Sequence, residues 1–153
     1  MISVVVLTYN EVSNLQRCLA SVAWCDDVLV IDSGSVDGTQ ALAQQLRARV
    51  MQRPFDNFAA QRNFALDEGA LRHEWVLHLD ADEECSEELR AEIEAVVAAG
   101  ARAKPAWRVP SRLMLLGQWL RRSGMYPAYQ VRFGRRDSLR FVMVGHGQRE
   151  TLP

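Results

Sequence analysis

Residues 2–7, 28–31 and 75–79 are three short runs, apolar almost throughout, and they constrain the fold of this 153-residue chain most. Each is too short for a buried helix and rich in β-branched or aromatic residues. Each stops at polar or turn-forming residues, so each reads as a strand buried on both faces. Helical spacing fills the gaps. Leu15, Leu19 and Val22 share one face, and Leu42 and Leu46 are expected to point inward from a helix capped by Asp37 or Thr39. Residues 49–51 read as a short further strand, and residues 58–70 as a helix ending near Gly69. Ser86 caps a helix carrying Leu89, Ile93, Val96 and Val97, with Glu87 and Glu88 in its first turn and Gly100 at its end. Strands alternating with helices imply right-handed crossovers and a mostly parallel, Rossmann-like sheet flanked by helices, the α/β class.

The pattern changes after Pro105. Residues 106–116 look extended, 116–120 are apolar without a clear period, and 129–133 and 139–144 read as short strands. Charge divides at nearly the same place. Residues 1–99 carry a net −10 and residues 100–153 a net +9, which sum to the −1 of the whole chain. The basic half meets something anionic, docks on the acidic half, or is merely solvated. One domain is expected over residues 1–153, with residues 1–104 as the ligand-binding half and 105–153 as the basic half. Cys18, Cys25 and Cys85 lack metal-ligand spacing and read as reduced thiols of a cytoplasmic protein. The chain opens directly on a strand, and no apolar stretch approaches the roughly 18 residues that span a bilayer.

Candidate chemistry sits where strands end, the edge at which open α/β sheets hold ligands. Asp80-Ala81-Asp82 closes the third apolar run, and carboxylates two apart on an extended segment point the same way. Such a pair suits a hard divalent cation and, through it, a diphosphate; it equally suits a solvated loop before a helix. Thr8 and Tyr9 follow the first run, where they can bond and stack on a base, while Asn10 or Ser13 can cap the next helix. Asp32 offers an acceptor for ribose hydroxyls, with Ser33-Gly34-Ser35 allowing close approach, or it simply begins a turn. Arg62 has the fork that suits phosphate, although helical context alone favours a surface arginine. His146 and Glu150 lie in what reads as a glycine-containing loop and can supply a base or a metal ligand, or simply be polar loop residues. No glycine-rich dinucleotide fingerprint, P-loop or serine elbow is present, which weakens those three readings.

Four segments in order resemble family 2 glycosyltransferases of the GT-A fold: residues 4–11, residues 30–39 around Asp32-Ser33-Gly34-Ser35, residues 58–63 around Gln61-Arg62-Asn63, and residues 79–83 around Asp80-Ala81-Asp82. Trp119, Tyr126-Pro127 and residues 129–133 extend the likeness to bacterial enzymes that add glucose or a related sugar to the lipopolysaccharide core. The resemblance implies a nucleotide-sugar donor, usually UDP-linked, and a Mg²⁺ or Mn²⁺ ion. By it Thr8, Tyr9, Glu11 and Asp32 hold the nucleoside, and Arg62 approaches the ribose or diphosphate. Asp80 and Asp82 serve ribose and metal, Asp82 foremost as the direct ligand. Transfer would invert the sugar carbon, with Glu150 as base and His146 as a metal, phosphate or acceptor contact. Arg121, Arg122, Arg132, Arg135 and Arg136 would favour an anionic glycan or glycolipid acceptor. Peripheral contact with the inner membrane face, or oligomerisation, is compatible; no nucleic-acid partner is expected. In two respects the chain departs from those relatives. They often carry adjacent His-Glu where His146 is followed by Gly147, and they continue well past position 153, so the chain reads as a truncated or unusually short member. A sugar nucleotidyltransferase and a catalytically incomplete nucleotide-sugar-binding module are the alternative functions.

Overall fold

The computed structural model describes residues 1–100, 104–121, 127–144 and 147–151. Four strands, β1 (Ser3–Thr8), β2 (Asp27–Asp32), β3 (Arg49–Gln52) and β4 (Trp75–Asp80), alternate with helices α1 (Val12–Ser21), α2 (Thr39–Gln45) and α3 (Phe58–Glu68). Helix α4 (Glu87–Ala98) follows β4. Then come β5 (Ala106–Ser111), β6 (Met114–Leu115), β7 (Gln118–Trp119), β8 (Ala128–Arg135), β9 (Arg140–Val144) and β10 (Gly147–Thr151). The main sheet has the order β3-β2-β1-β4-β8-β5. Strands β1 to β4 are mutually parallel, β8 runs antiparallel to β4, and β5 antiparallel to β8. This is the expected mostly parallel α/β sheet, with the basic half adding two strands to its edge.

Alternation along the strands builds two cores, as the pleat demands. Val4, Val6, Val30, Leu77 and Leu79 face α1 and α4, joined by an aromatic cluster in which Phe133 stacks on Trp75 with centroids 5.4 Å apart. Val5, Leu7, Leu29, Ile31 and Val76 face α3, joined by Val131 and Phe141. Gly69, at the end of α3, leaves no room for a side chain: a Cβ there would lie 2.2 Å from the Ala65 carbonyl oxygen and 2.5 Å from Leu29.

Local expectations change in several places. Helix α2 has Gly38 at its N-cap with no side-chain cap bond, so neither Asp37 nor Thr39 takes that place. Strand β4 ends at Asp80, and Ala81 and Asp82 lie in a turn, so the two carboxylates do not form an extended pair. Helix α1 is not capped by Asn10 or Ser13. Its first amides donate instead across the loop, Glu11 N to Thr39 Oγ1 (3.0 Å) and Val12 N to Asp37 Oδ2 (3.1 Å). Asn10 takes a left-handed φ of 54° and stitches the two loops together, its amide to Ser35 and its Oδ1 from the Val36 amide. Leu46 is 42% exposed, because α2 stops at Gln45 after seven residues and Ala43 takes the buried position. The apolar stretch 116–120 belongs to a hairpin, β6 paired with β7, and β9 pairs with β10 in a second small ribbon outside the main sheet. Among the described residues no helix is long and apolar enough to cross a membrane.

Candidate active site

Strand β1 pairs with β2 on one side and β4 on the other, so the winding reverses between β1 and β4. A sheet of this topology opens a crevice beyond the strand ends at that point. Thr8 stands opposite Asp32, and Leu7 opposite Asp80. The ladder continues into the loops, with Ser33 N donating to Thr8 O and Ala81 N to Leu7 O, both at 3.0 Å. Thr8, Asp32 and Asp80 are thus fixed side by side by backbone pairing alone.

Asp80 is the hub. Its Oδ1 accepts from Arg62 Nη2 at 2.7 Å and its Oδ2 from Arg132 Nη2 at 2.8 Å. Arg132 Nη2 also donates to Glu83 Oε1 at 2.7 Å, and Glu83 Oε2 accepts from the Asp80 amide at 2.9 Å. Burial would raise the Asp80 pKa, but the two guanidiniums outweigh it and hold the carboxyl below its ordinary value. Glu83 goes the other way, because burial and neighbouring Asp80 raise it against the pull of Arg132. Burial pushes the Arg62 guanidinium down to about 10 despite Asp80.

The local sequence explains this placement. In α3 the consecutive residues Gln61, Arg62 and Asn63 each hold a different element. Gln61 Nε2 donates to the carbonyls of Arg53 and Pro54, both at 3.1 Å, and Arg62 reaches Asp80. Asn63 exchanges two bonds with the backbone of Phe141 in β9, 2.8 and 3.0 Å long. Arg62 is 1% exposed, so the surface-arginine expectation does not hold, and its charge ends on Asp80. Arg132 owes its aim to an irregularity. Trp107 pairs with Phe133 but Arg108 pairs with Val131, so β8 carries one extra residue, Arg132, at a bulge. Bulges re-aim side chains in this way beside sites.

The other expected residues fall as follows. Asp32 is fully buried and its acceptors are taken. Oδ1 receives the amides of Gly34 and Ser35 and the Gln40 side chain, and Oδ2 the Ser35 hydroxyl. It shapes the loop rather than presenting open acceptors. Thr8 is 5% exposed and its Oγ1 has no hydrogen-bond partner among the described residues. Tyr9 is 59% exposed at the strand end. Glu11 holds Asn14 Nδ2 at 2.8 Å. Asp82 is exposed and makes no hydrogen bond or ion pair among the described residues. His146 and Arg122 lie outside the described residues. The Glu150 backbone is paired opposite Phe141, which lies 5.8 Å under the Arg62 guanidinium.

Several members of this cluster were not legible as such. His78, two residues before Asp80, is fully buried against Phe141 with centroids 5.2 Å apart, and neither ring nitrogen has a hydrogen-bond partner among the described residues. Burial and then Arg62 and Arg132 hold its pKa well below 6.5, so it is neutral. Arg132, expected among the arginines that favour an anionic acceptor, turns to Asp80 and Glu83 instead, and Glu83 carried no expectation of its own. Cys18 packs beneath the acidic loop, and burial together with Glu83 and Asp80 pushes its thiol up to about 12, so it stays protonated. The charge division resolves in the same way: Arg132 meets Asp80 and Glu83, Arg135 meets Glu74 and Arg140 meets Asp67. Much of the basic half is docked on the acidic half.

A divalent cation fits this donor set in one manner. No group of three or more His, Cys, Asp or Glu gathers as a cage among the described residues. Asp80 is engaged by guanidiniums, while Asp82 offers an uncommitted carboxylate. That suits an ion such as Mg²⁺ held by one or two carboxylates with substrate phosphates completing its shell.

The family model described as Glycosyl transferase family 2 matches residues 3–137. The lipopolysaccharide core biosynthesis glycosyltransferase LpsC of Rhizobium meliloti is 32% identical over 152 residues, covering 96% of this chain and 52% of its own length. An uncharacterized glycosyltransferase of Rickettsia felis is 41% identical over 99 residues, 64% of this chain and 34% of its own. The chain thus spans about a third to a half of the curated relatives it matches. Among solved structures, S. aureus TarS 1-349 superposes with a TM-score of 0.59 at 22% identity, covering 88% of this chain and 47% of that one. Its complex with UDP-GlcNAc gives a TM-score of 0.60 at 24% identity, over 82% and 38%. M. tuberculosis glucosyl-3-phosphoglycerate synthase gives 0.56 at 22%, over 69% and 43%. These structures share the fold, and with the family match over most of its length the chain belongs to glycosyl transferase family 2.

Proposed function

We propose that this chain forms the donor-binding part of a glycosyltransferase that moves a sugar from a nucleoside diphosphate, UDP in the first instance, to a hydroxyl of a cell-envelope glycan. The observation that carries this reading is the strand register at the switch point, which sets Thr8 opposite Asp32 and Leu7 opposite Asp80, with exposed Asp82 two residues beyond. TarS, of the same fold, is described in complex with UDP-GlcNAc, and LpsC is named for lipopolysaccharide core synthesis. Those names support a UDP-sugar donor and a core-type acceptor.

In this reading Tyr9 stacks on the base and Thr8 bonds the nucleoside. Asp32 fixes the loop on which the nucleoside rests. Asp82, with Asp80 next to it, holds Mg²⁺ or Mn²⁺, which when bound neutralises charge on the leaving diphosphate. Arg62 and Arg132 act through Asp80, holding its carboxylate ionised and oriented. The acceptor oxygen attacks the sugar carbon opposite the departing diphosphate and inverts it, while a carboxylate takes the hydroxyl proton. Glu150 is our candidate for that base, since its backbone lies opposite Phe141 next to the Arg62 cluster. His146 remains a candidate acceptor or phosphate contact. The free thiols of Cys18, Cys25 and Cys85 support work in a reducing, cytoplasmic compartment.

The test is UDP release from a panel of UDP-hexoses, with Mn²⁺ and core oligosaccharide present. Cation-dependent release stimulated by the acceptor and abolished in Asp82→Ala is the expected result. Pyrophosphate release from UTP and a sugar phosphate would assign a nucleotidyltransferase instead. UDP binding with no turnover on any donor would reduce the chain to a binding module.

A further inference from the structure

The β6–β7 hairpin is not explained by donor chemistry. Two residues, Leu116 and Gly117, close it between the pairs Met114–Trp119 and Leu115–Gln118. Both have positive φ, 50° and 78°, the signature of a type I′ turn. The first position of such a turn favours Asn, Asp or Gly, and a branched apolar side chain there is strained. Yet Leu116 occupies it and is 96% exposed. Leu113, Met114 and Leu115 are also exposed, by 45%, 54% and 56%. Four consecutive apolar side chains therefore stand in solvent, and the one at the tip is held against the turn's own preference. Local stability does not account for that choice.

The base of the hairpin has the opposite chemistry. Two guanidiniums stand over the Trp119 ring, Arg112 at 4.9 Å and Arg121 at 4.7 Å from its centroid. From Lys104 to Arg121 the sequence holds Lys104, Arg108, Arg112 and Arg121 and no Asp or Glu. Arg132, Arg135 and Arg140 are drawn into ion pairs with the acidic half; Arg112 and Arg121 stand over the tryptophan ring, Arg112 also within electrostatic reach of Glu88. An apolar tip, an amphipathic aromatic and a collar of arginines, in that order, match the depth profile of a bilayer surface: acyl boundary, glycerol level and phosphate.

We propose that this hairpin is a membrane wedge, Leu115 and Leu116 entering the acyl boundary of an anionic bilayer while Arg112 and Arg121 bind lipid phosphates. Charge complementarity selects the lipid surface over a second copy of the chain, because two such collars facing each other would repel. The inference is independent of the donor assignment.

Vesicle flotation of the chain tests it, with mixed phosphatidylcholine–phosphatidylglycerol vesicles against phosphatidylcholine alone. The parent should float with the anionic vesicles and be released by salt. The double variant Leu115→Ser with Leu116→Asn should bind about tenfold more weakly or worse. Asn suits the left-handed turn, so this variant keeps the hairpin while losing the apolar tip. Arg112→Gln with Arg121→Gln should erase the preference for anionic vesicles. Failure of the parent to float, or unchanged flotation of the leucine variant, would overturn the proposal. So would a parent dimer that dissociates in the leucine variant, since the hairpin would then be covered by a second copy.

Discussion

Arg132 Nη2 lies 2.8 Å from Asp80 Oδ2 and 2.7 Å from Glu83 Oε1, so one guanidinium from the basic half serves two carboxylates of the acidic half. Through this contact β8 helps define the end of β4, the strand that carries the candidate site. Arg132→Met should therefore cost about 2–4 kcal/mol, since it leaves two half-buried carboxylates facing each other. Arg132→Lys should recover most of that loss, since both bonds come from the one nitrogen Nη2 and an ammonium placed there can donate to both carboxylates. Urea denaturation of the two variants measures this, and a loss within error for Arg132→Met would contradict it.

Asp80 and Asp82 should separate cleanly although they are two residues apart. Asp82 is exposed, so Asp82→Ala should change stability by less than about 0.5 kcal/mol. Asp80→Asn should cost about 2–3 kcal/mol, because two buried guanidiniums lose their shared counter-charge. Thermal melts of both variants compare them directly.

Asp27 gives a pH signature far from the site. It is buried at the opposite end of β2, where Oδ2 accepts from Ser3 Oγ (2.6 Å) and the Arg72 amide (2.8 Å), and Oδ1 from Arg49 (2.9 Å). Burial opposes ionisation, but these donors prevail and hold its pKa below the ordinary 3.8. A depressed carboxyl stabilises the fold fully above its unfolded value and loses that contribution as pH falls through the folded value. Asp27→Asn should cost about 2–3 kcal/mol at neutral pH. The gap between parent and variant should then shrink below pH 3.8. A gap that widened in acid would contradict the assignment.

Asn63 should govern the β9–β10 ribbon. Asn63→Ala removes both bonds to the Phe141 backbone, at a cost of about 1–2 kcal/mol. Hydrogen exchange at the Phe141 amide should accelerate well beyond that of the β1 amides. Equal protection in both proteins would show that apolar packing alone holds β9.

The parallel half of the fold was legible because its strands are buried on both faces and leave continuous apolar runs, as at Val4-Val5-Val6 and Leu29-Val30-Ile31. Asp80 and Asp82 could be singled out because strand ends are where such sheets place ligands. What escaped depended on contacts between distant segments. Arg62 reads as a surface residue until Asp80 is brought within 2.7 Å of it. Arg132 reads as one more cation until a bulge turns it toward β4. The capping of α1 by Asp37 and Thr39 crosses two loops, and Leu46 was misplaced because helical period alone does not say where α2 stops.

The most direct test of the central claim is calorimetric titration of UDP with and without Mn²⁺, on this chain and on folded Asp82→Ala. Binding that requires the cation in the parent and disappears in the variant is the predicted result. Equal binding by both proteins would contradict the assignment of Asp82, and no binding by the folded parent would contradict a donor site at the ends of β1 and β4.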